Sequence, residues 1–201
     1  MRAGKFPMKQ FSIPLGKYLE NNPKKYLIFD LDETLFRIIW PEDTAFIIKK
    51  YLKIIDPNFL NKNVWGYEYY NQLIKKLGQK VKKKLNAIYI EFELRLLNNL
   101  TDVNLELIDF IKSNQQNYTF YIWSNNQRKT IESILKKFNC ANYFKEIVSA
   151  TDVSLFKPDT EGFYRLYEAN QNKKEYLMIG DSENDKKAAK NSGIDYLYLH
   201  I

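Results

Sequence analysis

Short apolar runs alternate with amphipathic helical patterns over most of the chain. Runs of this kind, bounded by turn residues, predict buried strands at residues 25–29, 118–123, 146–149, 175–179 and 195–199. Between the later strands, apolar residues at helical spacing predict helices, one of them with Ile131, Ile134 and Leu135 on a single face. Strands that alternate with helices of this length indicate an α/β fold with a parallel sheet and right-handed crossovers.

The stretch from about residue 38 to residue 100 breaks this alternation. Its pattern predicts three helices, at residues 43–55, 67–77 and 82–100, separated by Pro57 and Gly66. A helical block inserted after the first strand lies above the carboxyl ends of the sheet, where ligands bind in open α/β sheets. We therefore predict a small helical cap, with a purely structural subdomain as the alternative. The predicted domains are an N-terminal extension at 1–23, an α/β core at 24–37 and 101–201, and the cap at 38–100.

The composition is that of a globular chain with a packed core. Of its 201 residues, 45% are hydrophobic and 15% aromatic, which suits one domain with an insertion. A single cysteine, Cys140, precludes an internal disulfide and fits a reducing compartment. Because no histidine is near Cys140 and the chain has only His200, we disfavour a catalytic triad and expect a buried or neutral thiol.

The formal charge of +7 leaves two interpretations open, since lysines cluster at residues 80–84 and at 186–187. Such clusters fit an anionic surface such as nucleic acid, or the solvated faces of helices. We favour solvated faces and predict no nucleic-acid partner, although a positive field would help to steer an anionic substrate. No apolar run is long enough to span a bilayer and residues 1–22 lack a continuous apolar region, so we expect no membrane association and a cytoplasmic location.

Two carboxylates, Asp30 and Asp32, follow the first predicted strand one residue apart. At strand spacing they point roughly the same way, because alternate residues share a face. Like charges held this close stay ionised only with a cation between them, or else one carboxylate takes up a proton. A site that uses one carboxylate as nucleophile and the other as acid and base needs that asymmetry.

Three further polar segments end strands at the same predicted edge of the sheet. With residues 30–34 they are residues 124–126, 157–158 and 180–185. Together the four segments bring a hydroxyl, a cation and four carboxylates to one crevice, and no structural role calls for that combination. The groups are those of Ser124, Lys157, Asp30, Asp32, Asp181 and Asp185.

In this order the four segments resemble the motifs of the haloacid dehalogenase (HAD) superfamily. Asp30-Leu31-Asp32-Glu33-Thr34 is similar to the first motif, Ser124 to the second, Lys157-Pro158 to the third, and Gly180-Asp181 with Asp185 to the fourth. The helical insertion resembles the smaller cap of phosphoglycolate-phosphatase-like members. The resemblance covers the predicted core and implies a Rossmann-like sheet that performs phosphoryl chemistry.

The resemblance also implies a magnesium site. Mg²⁺ takes hard oxygen ligands, commonly one or two carboxylates with waters, and neutralises the charge of a phosphate monoester. The implied ligands are the Asp30 carboxylate, the Asp32 backbone carbonyl and Asp181, with Asp185 as a ligand or a near neighbour.

Catalytic roles follow from the same resemblance. Asp30 would attack phosphorus to form an aspartyl-phosphate, and Asp32 would protonate the leaving oxygen and then activate water. Ser124 and Lys157 would bind and neutralise the transferring group, while Thr34 would hold the turn. The implied substrate-binding residues are Thr34, Ser124, Asn125 and Lys157.

The prediction is thus a Mg²⁺-dependent phosphatase for a small phosphorylated metabolite. Asp32 favours it over the dehalogenase branch, which typically lacks an acid at this place. A phosphotransferase or mutase with the same chemistry, or a catalytically inactive ligand-binding member, are the alternatives. Cap aromatic residues could line a substrate pocket, but a role in the core is favoured: Trp40, Trp65, Tyr67, Tyr69 and Tyr70.

Overall fold

The computed structural model of the protein describes residues 14–59, 66–96 and 100–201. Of the predicted features, Trp65 and most of the N-terminal extension lie outside these ranges. In chain order the helices and strands are α1 (Pro14–Asn21), β1 (Tyr26–Phe29), β2 (Phe36–Ile38), α2 (Glu42–Ile55), α3 (Tyr67–Leu77), α4 (Gln79–Leu96), β3 (Leu100–Val103), α5 (Leu105–Ser113), β4 (Thr119–Trp123), α6 (Arg128–Lys137), β5 (Glu146–Val148), α7 (Glu161–Leu166), β6 (Tyr176–Gly180), α8 (Glu183–Ser192) and β7 (Asp195–Tyr198).

Five of these strands form a parallel sheet in the order β5-β4-β1-β6-β7. The central strand β1 pairs in parallel with β4, where Tyr26 lies opposite Thr119, and with β6, where Tyr26 lies opposite Tyr176. Continuous apolar sequences suit such strands, because helices cover both faces of a parallel sheet. The predicted α/β fold with a parallel Rossmann-like sheet is confirmed.

Side chains of β1 alternate between two apolar layers. Leu27 and Phe29 pack with residues of α5 and α6, whereas Ile28 packs with residues of α7 and α8 on the other face. Helix α1 joins the first layer through Leu15 and Leu19. The sheet is therefore buried on both faces, and its parallel strands all open at the same edge, where their carboxyl ends lie.

A short antiparallel pair, not predicted from the pattern, connects the sheet to the helical insertion. Strand β2 pairs with β3, with a register shift between Arg37 and Ile38. The helix predicted over residues 82–100 is wrong at its end, because α4 ends at Leu96 and Leu100 begins β3. Leucines recur as far as Leu100, so the pattern alone does not mark the end of the helix. The β structure depends on pairing with β2, which lies more than sixty residues away in sequence.

Helices α2, α3 and α4 form the insertion and have a core of their own. Leu52, Tyr70, Leu85 and Phe92 pack in this cluster, which also takes in Phe156 from the loop after β5. The helices predicted at residues 43–55 and 67–77 are confirmed. Among the described residues, no helix has both the length and the apolar character needed to cross a membrane.

Candidate active site

The carboxyl ends of β1, β4 and β6 open into a cavity of about 460 Å³ beneath the helical insertion. We call the residues from the sheet side the floor: Asp30, Asp32, Glu33, Ser124, Asn125, Asn126, Lys157, Asp181, Ser182 and Asn184. We call the residues from the helical side the roof: Trp40, Pro41, Thr44, Ala45, Ile48, Tyr67 and Tyr89. The floor brings together all of the predicted site residues except Thr34 and Asp185.

Lys157 lies at the centre of the floor and is almost fully buried. Its ammonium donates to Asp30 Oδ1 at 2.7 Å, to Asp185 Oδ1 at 2.5 Å and to the Trp123 carbonyl at 2.7 Å. Burial disfavours the charged amine, but the carboxylates of Asp185 and Asp30 outweigh it and raise the pKa of Lys157. A permanent positive charge thus lies against the carboxylate that ends β1.

Three carboxylates lie near one another beside this lysine. One oxygen from each of Asp30, Asp181 and Asp185 falls within 4.8 Å of the others, a grouping that could hold a metal ion. Burial raises the pKa of Asp30 and of Asp181, and the charge of Asp185 acts in the same direction on both. A divalent cation with hard oxygen ligands suits this donor set, because it would relieve the repulsion and favour the ionised forms.

Asp185 is held by its own helix as well as by Lys157. Its Oδ2 accepts from the backbone N–H of Ser182 at 3.1 Å and from the Ser182 hydroxyl at 2.5 Å, in a capping box at the start of α8. The local role as a helix cap and the predicted place in the acidic cluster are therefore both present. Gly180 permits the approach, since a Cβ at this position would lie 2.6 Å from the Asp185 carboxyl.

Asp32 lies in a different environment from Asp30. Its Oδ1 accepts from the Ile38 N–H at 3.0 Å, and its Oδ2 accepts from Trp40 Nε1 at 2.6 Å. Burial raises the pKa of Asp32 to about 7, although both donors oppose the shift. A carboxyl with this pKa can both give and accept a proton near neutral pH.

The loop after β4 is organised by its own polar side chains. The Ser124 hydroxyl donates to Asn126 Oδ1 at 2.7 Å. The Asn125 side chain binds the backbone of Lys157, accepting from its N–H at 2.8 Å and donating to its carbonyl at 3.3 Å. Gln127, not Ser124, is the N-cap of α6, so the structure does not support a helix cap as the role of Ser124. Asn125 lines the cavity and also fixes the segment that carries Lys157.

Thr34 does not line the cavity, so its predicted contact with substrate is not supported. Its side chain is fully buried, and its hydroxyl donates to the Leu199 carbonyl at 3.4 Å. The physical reason is that the chain turns away from the cavity after Glu33, with Leu35 N and Phe36 N both bonded to the Leu31 carbonyl. This hydroxyl connects the turn to the segment after β7, and the role of Thr34 in holding the turn stays a prediction.

The roof contains some of the predicted cap aromatics and others that the pattern did not indicate. Trp40 and Tyr67 line the cavity, whereas Tyr69 and Tyr70 pack in the core of the insertion. Tyr89 was not singled out; its ring meets Trp40 edge-on at 5.9 Å and stacks on Tyr67 at 6.0 Å between centroids. Thr44 was also missed, although its hydroxyl is buried beside the cavity.

Buried polar side chains of α3 and α4 tie the insertion to the loops of the floor. Glu93 accepts from the Gln127 N–H at 2.9 Å, and Asn71 bonds both backbone groups of Phe156. The prediction that Lys82 lies on a solvated face is wrong. Its side chain is buried and donates to the Ala150 carbonyl at 2.7 Å. Burial lowers the pKa of Lys82 to about 7.

Two other residues that the sequence left open are now placed. His200 lies at the rim, with Nδ1 3.7 Å from Glu33 Oε2 and 3.8 Å from Asp181 Oδ2. Cys140 is fully buried away from the cavity, and burial raises the pKa of its thiol to about 11. The prediction of a buried, neutral Cys140 is confirmed.

Known proteins similar to this chain fall in one family. The profile of haloacid dehalogenase-like hydrolases matches residues 27–199. A pyrophosphatase, PpaX, of Listeria monocytogenes is 26% identical over 181 residues, which cover 83% of this chain and 78% of that protein. A phosphoglycolate phosphatase of Vibrio parahaemolyticus is 35% identical over 92 residues, which cover 43% of this chain and 40% of that protein.

A solved structure agrees with the fold. The crystal structure of a HAD family enzyme from Bacteroides thetaiotaomicron, in complex with magnesium and inorganic phosphate, aligns with a TM-score of 0.53 at 21% identity. The alignment covers 87% of this chain and 93% of that one. Since the family profile spans most of the sequence and the same sheet is present, the chain belongs to the haloacid dehalogenase-like hydrolase family.

Proposed function

We propose that this protein is a Mg²⁺-dependent phosphatase that hydrolyses a small phosphomonoester through an aspartyl-phosphate on Asp30. The observation that carries the proposal is the pairing of Asp30 with the buried Lys157, next to Asp181 and Asp185, at the floor of a covered cavity. Relatives named as a phosphoglycolate phosphatase and a pyrophosphatase support phosphate-ester chemistry.

Asp30 and Asp181 are the carboxylates we assign to Mg²⁺, with the backbone carbonyl of Asp32. Asp185 contributes negative charge to the same cluster, although its oxygens already accept from Lys157 and Ser182. When bound, the cation neutralises charge on the phosphoryl oxygens. The related enzyme crystallised with magnesium and inorganic phosphate supports this choice of metal.

In the first step, Asp30 attacks phosphorus and the bond to the leaving oxygen breaks. Asp32, whose pKa of about 7 lets it carry a proton, donates that proton to the departing oxygen. Lys157 and the Ser124 hydroxyl stabilise charge on the transferring group. In the second step, Asp32 takes a proton from water, which attacks the acyl-phosphate, releases phosphate and restores Asp30.

The proposal is tested with purified protein, Mg²⁺ and a panel of phosphomonoesters. We expect phosphate release that chelation abolishes and that Asp30→Asn lowers by at least about a thousandfold, as for loss of a nucleophile. The matched control is Asp43→Asn, since Asp43 is an exposed aspartate of α2, and it should retain full activity. Equal turnover by Asp30→Asn and the unaltered protein would contradict the proposal.

Trapping of the intermediate distinguishes this mechanism from direct attack by water. Rapid acid quenching during turnover should leave phosphate on the peptide that contains Asp30, detected by mass spectrometry. A protein that turns over at full rate but carries no label under these conditions would contradict the covalent step.

A further inference from the structure

The roof of the cavity presents an apolar surface to whatever is attached to the phosphate. Its side chains carry no charge, and three of them are aromatic: Trp40, Tyr67 and Tyr89. Trp40 and Tyr89 meet edge to face, and Tyr67 stacks on Tyr89, so the rings form one continuous wall. Ile48, almost fully buried, extends this wall along α2. Such a wall favours apolar groups, because contact removes apolar surface from water.

One polar atom interrupts this wall without a partner of its own. Thr44 is one of the residues that line the cavity, and its hydroxyl is buried with no hydrogen-bond partner among the residues that the structure describes. Thr44 as a whole is 6% exposed. A buried hydroxyl left unpaired costs free energy, which a bound group that hydrogen-bonds to it would recover.

The floor offers no free positive charge for a second anionic group. Among the described residues that line the cavity, Lys157 is the one cation, and its ammonium is already shared by Asp30, Asp185 and a carbonyl. A carboxylate or second phosphate on the leaving group would therefore lose its water without gaining a partner from the roof.

The carboxylates of the floor already have partners within the protein, so none of them is free to pair with a positive charge on the leaving group. Asp32 accepts from Ile38 and Trp40, and Glu33 accepts from Arg37 Nε at 3.1 Å. Asp30 and Asp181 belong to the cluster assigned to the metal. None of the roof side chains is a carboxylate, so a positive group lying there would have no counter-ion, and only contacts with the aromatic rings would attract it.

We propose that the preferred substrate is a phosphomonoester of an uncharged, largely apolar alcohol that lies against the aromatic roof and hydrogen-bonds to Thr44. This inference rests on the proposed phosphatase function and narrows its substrate class. It separates this chain from the activities named for its relatives, since phosphoglycolate and pyrophosphate both carry a second anionic group.

A matched series of substrates tests the charge preference. The neutral member is 3,3-dimethylbutyl phosphate; the cationic member is phosphocholine, its isostere; and the anionic member replaces one methyl group with a carboxylate. We expect kcat/KM for the neutral ester to exceed that of the anionic ester by at least about tenfold, and that of phosphocholine by a smaller factor.

The outcomes separate the inference from the function on which it rests. Turnover of the anionic ester at an equal or higher rate would overturn the inference, and would indicate that the first turn of α2 attracts an anion; the phosphatase function would stand. Faster turnover of phosphocholine would overturn it in favour of cation–π binding. Absence of turnover for all three esters, by a protein that releases phosphate from other phosphomonoesters of the panel, would also overturn the inference. Absence of phosphate release from the whole panel, with Mg²⁺ present, would overturn the phosphatase function itself.

Two variants check the assignment to the roof. Ala45→Arg adds a cation at an exposed position that lines the cavity, and it should raise kcat/KM for the anionic ester relative to the neutral one by about tenfold. A fourth ester, the neutral one with a hydroxyl on one methyl group, tests Thr44. We expect its kcat/KM to exceed that of the neutral ester in the unaltered protein and in Thr44→Ser, and to lose this advantage in Thr44→Val. An unchanged charge preference in Ala45→Arg, or an unchanged hydroxyl advantage in Thr44→Val, would overturn the corresponding part of the inference.

Discussion

The floor and the roof of the cavity face each other but are held together by different forces. Floor side chains come from the carboxyl ends of three strands and a loop, and they are linked by charge-assisted hydrogen bonds such as those of Lys157. Roof side chains come from the chain segment at the start of α2 and from α3 and α4, and they are held by ring contacts and apolar packing. Only one direct side-chain bond between them is described at the cavity itself, from Trp40 to Asp32.

This difference indicates where amino-acid substitutions can be tolerated. A floor residue such as Lys157 has several buried partners, so its loss leaves buried charges that neither protein groups nor water neutralise. A roof residue contributes area and shape, so its exchange alters the group that fits while leaving the chemistry in place. We therefore expect reaction chemistry to depend on the floor and substrate choice to depend on the roof.

The largest effect should come from breaking the floor with Lys157→Met. The change leaves Asp30 and Asp185 facing each other without their ammonium, so the free energy of unfolding should fall by about 3–5 kcal/mol. Turnover should fall by about a hundredfold to a thousandfold, because the charge over the transferring group is lost. Denaturant unfolding and steady-state kinetics measure the two effects.

Lys187→Met is the control for Lys157→Met. Lys187 pairs with Glu68 at the surface, where both side chains are about half exposed, and an exposed pair contributes about 0–1 kcal/mol. If Lys157→Met kept turnover within threefold of the unaltered protein, the floor would not work as we describe.

A second prediction concerns the buried acid that joins the insertion to the loop after β4. Burial raises the pKa of Glu93 from 4.5 to about 7, so the folded protein keeps this proton in a range where the unfolded chain releases it. Stability contributed by Glu93 therefore falls as pH rises from about 4.5 to 7. Glu93→Gln cannot ionise, so its free energy of unfolding relative to the unaltered protein should rise by about 3 kcal/mol from pH 4.5 to pH 8.

Unfolding at a series of pH values, without added metal, measures this difference. Glu91→Gln on the same helix is the control, because Glu91 is exposed and pairs with Arg95, and loss of such a surface pair should change the free energy of unfolding by no more than about 1 kcal/mol. A pH-independent difference for Glu93→Gln would show that the carboxyl is not held protonated in the folded protein.

The smallest effect should come from Trp40→Phe, which removes the hydrogen bond from Trp40 in the roof to Asp32 in the floor. An aromatic ring, smaller than the indole, remains in the roof, but Asp32 loses the donor at 2.6 Å. We expect kcat to fall by several-fold, about tenfold at most, and more for esters with poor leaving groups, which depend on proton donation. Kinetics with a leaving-group series measure this, and Tyr89→Phe, which removes a roof hydroxyl without touching Asp32, serves as the control.

A fall that is uniform across the leaving-group series would contradict this assignment. It would mean that Trp40 acts through packing alone, and that the bond to Asp32 contributes nothing to proton transfer.

Local patterns in the amino-acid sequence were enough to predict the sheet and most of the floor. Runs such as Tyr26–Phe29 and Tyr176–Gly180 are apolar because both faces of each strand are covered, and that signal is local. Polar residues directly after such runs fall at one edge of a parallel sheet. For this reason Asp30, Ser124 and Asp181 could be predicted to share one site before the fold was known, and the resemblance to the family's motifs added Lys157.

The hydrogen-bond partners that give these residues their chemistry come from distant segments, so they could be identified only in the folded protein. The bonds from Ile38 and Trp40 that separate Asp32 from Asp30 depend on the β2–β3 pair, whose strands are more than sixty residues apart. An apolar pattern also cannot tell a side chain that faces a core from one that faces a cavity, so Ile48 and Tyr89 gave no distinct signal. Hydrophobic periodicity indicates which face of a helix is shielded from water. The packing of distant segments determines whether protein or substrate covers that face.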